Sequence, residues 1–216
     1  MKEVLKKLLK NPGIWRGGET YIEQSAVPTG YPELDAALPA RGWPPRALTE
    51  ILLEQNGVGE LRLLMPALAA MTRDENTPVA WIVWIAPPYI PYAPALVEWG
   101  IKLSRVLLVH PKKPGEGIWA MEQALRSGTC AAVLAWIEHV DERHQRRLQL
   151  AAEEGACWGI LFRSMKYRTQ TSTAALRMCV LPHKDSLQVE IIKCRGGRPG
   201  KLAAINHRTL GTGVFS

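Results

Sequence analysis

The stretch spanning residues 54–62 reads EQNGVGELR. It follows an apolar run, Leu48 to Leu53, and precedes a helical pattern from Leu61 to Met71. Strand, glycine turn and helix in that order make the setting of a phosphate-binding loop. Such a loop ends in Gly-Lys-Ser/Thr, whose lysine reaches the β and γ oxygens and whose hydroxyl holds Mg²⁺. Here the corresponding end is Gly59-Glu60-Leu61. Glu60 repels phosphate and Leu61 cannot hold a metal. The helix start still offers free N–H groups and a positive dipole end. A first-turn carboxylate suits that field by about 0.3–1 kcal/mol. Gly57, Gly59 and Glu60 therefore read as a degenerate nucleotide loop, with no catalysis and no cofactor expected.

The other positions that nucleotide hydrolysis would use are also apolar. The run 131–137 should end in an aspartate for Mg²⁺, but it carries Trp136-Ile137 before Glu138. Glu138 as a displaced ligand would lack a hydroxyl partner in the loop. The run 79–85 leads into Ala86-Pro87-Pro88, with no acid to activate water. His139 and His144 are five residues apart and do not share a helix face, and the four cysteines, at 130, 157, 179 and 194, form no CxxC pair. Neither set suggests a metal site. No serine sits in a nucleophile elbow.

The charge is uneven. From Arg163 to Arg208 there are ten Lys/Arg against Asp185 and Glu190, although the whole chain carries only +7. A block of that kind suits a polyanion, an acidic partner or a solvated face. The candidates for contact with single-stranded DNA or a partner are Arg163, Lys166, Tyr167, Arg168, Lys193, Arg195, Arg198 and Lys201, together with Arg143, Arg146 and Arg147 in a helical pattern. Within the segment 164–171, cations and an aromatic can hold phosphate and stack a base.

The elements that must position these residues alternate. Runs at 48–53, 79–85, 105–109, 131–137 and 158–162 read as strands, and stretches at 33–38, 61–72, 92–99, 118–127 and 141–154 read as helices. Continuously apolar strands alternating with helices predict an α/β fold, a mostly parallel sheet with helices on both faces. Two alternating stretches, 176–181 and 187–194, then flank the turn His183-Lys184-Asp185-Ser186 and predict an antiparallel hairpin at one edge. The expected organisation is an N-terminal helix and linker over 1–27, a domain over 28–194 and a flexible basic tail over 195–216. With no signal peptide and no long apolar run, a cytoplasmic location is expected.

Pro28-Thr29-Gly30 with Leu34-Asp35, and then Leu48-Thr49-Glu50-Ile51, resemble the entry into the RecA core. Further stretches resemble the ImuA family, the SulA-related, RecA-like accessory proteins of bacterial mutasomes. They are Trp15-Arg16-Gly17, Gly57 to Leu63, Ala86-Pro87-Pro88, Tyr92 to Leu96, Trp119 to Arg126, Arg146 to Ala152 and Arg195-Gly196-Gly197. The resemblance spans about residues 15–198. It implies a RecA-like fold and a non-catalytic adaptor in SOS-induced, error-prone translesion synthesis. It also implies contact with ImuB, with RecA and, indirectly, with an error-prone polymerase. Two alternatives stand beside it: a SulA-like cell division inhibitor binding FtsZ, and a RecA-type DNA-dependent ATPase.

Overall fold

The computed structural model describes residues 26–73, 80–113, 115–184 and 186–206. The expected N-terminal helix, Trp15 and the last ten residues lie outside the described residues. In chain order the elements are α1 (Pro32–Ala37), β1 (Leu48–Leu53), a 3-10 turn (Glu60–Leu63), α2 (Met65–Arg73), β2 (Trp81–Ile85), α3 (Ala93–Glu98), β3 (Val106–Val109), α4 (Glu116–Arg126), β4 (Cys130–Trp136), α5 (Glu142–Glu154), β5 (Trp158–Ser164), β6 (Leu176–His183), β7 (Ser186–Cys194) and β8 (Lys201–Asn206).

One eight-stranded sheet runs in the order β3-β2-β4-β5-β1-β6-β7-β8. The six strands from β3 to β6 pair in parallel. β6, β7 and β8 then pair antiparallel. The apolar runs become strands because both faces of the sheet are covered, as parallel sheets require. On one face Leu34, Leu64, Leu68 and Leu96 meet Ile51, Ile82 and Ile160. On the other Met121, Leu125, Leu148 and Ala152 meet Leu48, Val83 and Val133. Trp43 and Trp158 pack at 5.2 Å in the first layer, and the Trp158 indole N–H donates to the Thr49 hydroxyl at 3.0 Å.

Two expectations change. The hairpin of β6 and β7 is present but is not the edge. Residues 201–206, read as part of a flexible tail, form β8 and pair with β7 from Ile191↔Lys201 to Ser186↔Asn206. Ala203 and Ile205 turn inward and are buried, so a two-residue alternation suffices to extend the sheet. The helix expected over 61–72 is divided into a 3-10 turn and α2. Pro66, which lacks a backbone N–H, sits in the first turn of α2, where that donor would be an orphan anyway.

Helix α5 begins as expected at Asp141, whose carboxylate accepts from the His144 backbone N–H at 2.7 Å. That bond and the His144 ring hold the Asp141 carboxyl below its usual range. At the other end Gly155 lies against α4, where an added Cβ would overlap the Leu125 carbonyl oxygen. Gly155→Ala is expected to destabilise the fold by about 3 kcal/mol through overpacking. Thermal unfolding should then show the melting temperature lowered by roughly 6–12 °C.

Candidate functional site

The C-terminal ends of the parallel strands are where open α/β sheets hold their ligands. The loop after β1 lies there. Gly57 (φ 86) and Gly59 (φ 104) take left-handed backbone, which costs glycine little. Their N–H groups point inward, as a phosphate cradle requires, but the cradle is filled. The Glu60 carboxylate folds back, accepting from Gly57 N–H through Oε1 at 3.0 Å and from Gly59 N–H through Oε2 at 3.1 Å. Glu60 is only 3% exposed. Leu61, expected from the sequence to stand where a phosphate loop has its metal-binding hydroxyl, packs against the first core layer. The helix start is secured from behind by the buried Tyr31, whose hydroxyl donates to the Arg62 carbonyl at 2.8 Å. Burial pushes the Tyr31 phenol up. The loop after β1 is thus a turn closed by its own carboxylate, and the bond to two glycine N–H groups goes beyond the dipole contact expected of Glu60.

A second cluster was not anticipated. Glu50 lies in β1 with no exposed surface, and Arg177 stands opposite it in register on β6. Arg163 lies opposite Leu52 on β5, one diagonal step away. The Glu50 carboxylate takes Arg163 at 2.7 Å and Arg177 at 2.5 Å. One carboxylate between two guanidiniums leaves a buried positive charge. Carbonyl oxygens answer it. Arg163 donates to the carbonyls of Glu138 and Val140, both at 3.2 Å. Arg177 donates to those of Tyr167 at 2.9 Å and Gln170 at 2.8 Å. The triad therefore fixes the loops after β4 and β5 onto the sheet. One signal in the sequence could have revealed it: an acid in the middle of the apolar run LTEILL, which must be paired if buried.

Most of the basic residues singled out for DNA or partner contact are already engaged. Arg163 is 3% exposed and belongs to the triad, so its assignment to a binding surface is corrected. Its guanidinium also lies 4.0 Å from the centre of the Tyr167 ring, which covers a face that a base would need for stacking. The Tyr167 hydroxyl is 3.0 Å from His139 Nδ1. Lys166 pairs with Glu138 at 2.9 Å, and that bond raises the lysine pKa. Arg168 pairs with Glu190 at 2.6 Å, Arg147 with Glu122 at 2.5 Å and Arg195 with Glu153 at 2.9 Å. Lys193 donates to the Ser172 carbonyl, and its partial burial lowers its pKa. Among the described residues, Arg143, Arg146, Arg198 and Lys201 are exposed and form no ion pair. The candidates fall on α5, on β5 and the segment after it, and on β7, the turn after it and the start of β8.

No group of three or more potential metal ligands occurs among the described residues. Burial raises the pKa of the Cys157 thiol, and that of Cys194 to about 11. No helix among the described residues is long and apolar enough to cross a membrane.

Against this geometry, residues 47–159 match the family model described as "Cell division inhibitor SulA", just over half of the chain. The chain belongs to the SulA family. A SulA from Edwardsiella piscicida is 34% identical over 101 residues, 47% of this chain and 58% of the relative. A SulA from Yersinia enterocolitica is 26% identical over 118 residues, 55% of this chain and 68% of the relative. The crystal structure of SulA from Pseudomonas aeruginosa is 26% identical, covering 54% of this chain and 97% of that one, with a TM-score of 0.44. The chain thus spans about three fifths to two thirds of the length of these curated SulA relatives. The match overturns the expected role as a translesion adaptor acting with ImuB, RecA and an error-prone polymerase. The SulA-matched span includes the closed loop after β1, and the described family is one of division inhibitors.

Proposed function

We propose that this protein is a non-catalytic cell division inhibitor that binds FtsZ in the cytoplasm during an SOS-type response to DNA damage. The observation that carries this reading is membership of the SulA family over residues 47–159. The closed cradle supports the non-catalytic part. Glu60 occupies the glycine N–H groups that a nucleotide would need, which suits a scaffold for binding rather than turnover. A RecA-like ancestry for the core is supported by the central place of β1, between β5 and β6, with the glycine loop at its end. The finer likeness to ImuA within the SulA-related proteins rests on stretches inside the matched span, such as Gly57 to Leu63 and Trp119 to Arg126, and on others outside it, such as Pro28 to Leu38 and Arg195 to Gly197. It is read here as ancestry, with no partner attached.

The test is direct. Purified protein mixed with FtsZ at micromolar concentration is expected to form a complex and to suppress GTP-dependent polymerisation. Its expression should turn dividing cells into filaments. Normal cell length together with undisturbed FtsZ polymers would overturn the reading.

A further inference from the structure

We propose that Cys130 and Cys157 form a redox pair, which hydrogen peroxide closes into a disulfide between β4 and β5. All four cysteines are free thiols in the structure. Cys130 opens β4, and Cys157 stands immediately before β5. The two strands are parallel neighbours, with Ala132 opposite Trp158. One step earlier Cys157 stands level with Ala131, a single residue away from Cys130 along the ladder. Neighbouring strands lie about 4.8 Å apart and rise about 3.3 Å per residue. The diagonal between the two Cα atoms is then about 6 Å, the usual Cα separation of a disulfide.

Strict alternation would turn the two side chains to opposite faces of the sheet. The ladder to β2 removes that obstacle. Trp81 pairs with Cys130 but Ile82 pairs with Ala132, so β4 carries one extra residue there. An extra residue of this kind re-aims a side chain. Cys130 accordingly packs in the layer of α4 and α5, the same layer in which Cys157 is buried. The thiols also lie close enough that charge on Cys130 adds to burial in raising the Cys157 pKa. Both backbones are held in place. The Trp81 N–H donates to the Thr129 carbonyl and the Cys157 N–H to the Ala152 carbonyl, each at 3.0 Å. The other two cysteines have no such relation. Cys179 stands opposite Glu190 and Cys194 opposite Leu176. Three residues of ladder, about 10 Å, exceed the reach of a disulfide.

Access assigns the roles. Cys157 is fully buried, whereas Cys130 is partly exposed, its Sγ 3.5 Å from the Ser127 hydroxyl. Cys130, as its thiolate, therefore meets the oxidant first. Its sulfur attacks one peroxide oxygen, so that an S–O bond forms and the O–O bond breaks. The other oxygen leaves as hydroxide and takes up the proton that Cys130 had released. The product is a sulfenic acid at Cys130. The Cys157 sulfur then attacks Cys130 Sγ, forming the S–S bond and breaking the S–O bond. The departing hydroxide takes the Cys157 thiol proton and leaves as water. In sum two thiols are oxidised to a disulfide and one peroxide is reduced to two waters. Thiol–disulfide exchange with a dithiol reverses the step.

The experiment treats the full, reduced chain with hydrogen peroxide, alkylates the remaining thiols and reads the digest by mass spectrometry. The expected product is a cross-linked peptide pair joining Cys130 to Cys157, with Cys179 and Cys194 alkylated. Dithiothreitol should restore both thiols. Closing a loop of this length should raise the melting temperature of the oxidised protein by roughly 5–10 °C. Cys157→Ala should stop at the sulfenic acid of Cys130, which dimedone captures. Cys130→Ser should leave Cys157 unoxidised at the same peroxide dose. The wild-type cross-link is read without either variant, so a variant that folds poorly leaves the test intact. Wild-type protein whose Cys130 proceeds to sulfinic acid while Cys157 stays free would overturn the pair. So would a disulfide joining Cys130 of two copies, or two thiols that peroxide leaves unreacted. None of these results bears on the division-inhibitor reading, which stands or falls with FtsZ.

Discussion

Glu50→Ala is expected to lower the free energy of unfolding by about 3–5 kcal/mol, the cost of removing one partner from a buried ion cluster. The magnitude follows from what remains. Two guanidiniums, on Arg163 and Arg177, would keep their places on the sheet with 3% and 5% exposure and no carboxylate between them. Their carbonyl partners can soften that penalty but cannot neutralise the charge. Urea denaturation measures the loss. A companion variant sharpens the test. Glu50→Leu/Arg163→Met/Arg177→Met removes all the charges at nearly constant volume. Replacing a whole buried ion cluster by apolar residues is often neutral, so the triple variant should recover much of the lost stability. It would still lack the donors that hold the carbonyls of residues 138, 140, 167 and 170. Recovery should therefore be greater in global stability than in amide protection of those two loops. A Glu50→Ala loss below about 1 kcal/mol would place it among ordinary substitutions and remove the triad from its structural role.

Glu60→Ala is expected to cost about 1.5–3 kcal/mol, because the exposed Gly57 and the half-buried Gly59 lose a charged acceptor for their N–H groups, a bond type worth about 1.5–3 kcal/mol each, and water can replace part of it. Glu60→Gln keeps the volume but turns one acceptor into an NH₂ that faces Gly57 or Gly59 N–H. It should retain no more than about half of that stability, since a donor facing a donor leaves both unsatisfied. In both variants amide exchange at residues 57 and 59 should quicken before that of β1. Neither variant should gain Mg²⁺-dependent ATP binding, because Leu61, half-buried against the core, offers no hydroxyl to a metal. If Glu60→Gln were as stable as the wild type, the carboxylate would not be what closes the loop.

These two residues show how far the sequence could be read. The strands were legible because burial on both faces leaves an unbroken apolar run, as in Ala132 to Ala135. The sign of Glu60 was legible too, since a carboxylate opposes phosphate in any geometry. Its backward turn was not, because that depends on the left-handed torsions of Gly57 and Gly59. The triad was hidden for a different reason. Glu50 lies more than a hundred residues from both arginines along the chain, and the three meet only through register. The cations were misjudged in the same way. Glu122 reaches Arg147 and Glu153 reaches Arg195 from other elements, so a local count of charge overstated what was left for a ligand. β8 was missed because the surrounding glycines and basic residues outweighed the short alternation in KLAAIN. Most stretches that carried the resemblance, such as Gly57 to Leu63 and Trp119 to Arg126, lie inside the span that matches SulA, so they suit either SulA-related reading and could not decide the function.

The grip of Arg163 and Arg177 on the loops after β4 and β5 is largely a grip on peptide oxygens. Every amino acid carries such an oxygen. Mutation can therefore rewrite the side chains of residues 138–140 and 167–170 over many generations without releasing the ribbon that carries them. Two arginines and one glutamate hold the shape constant while the chemistry displayed along that ribbon drifts, so that a lineage can change what it recognises there without refolding.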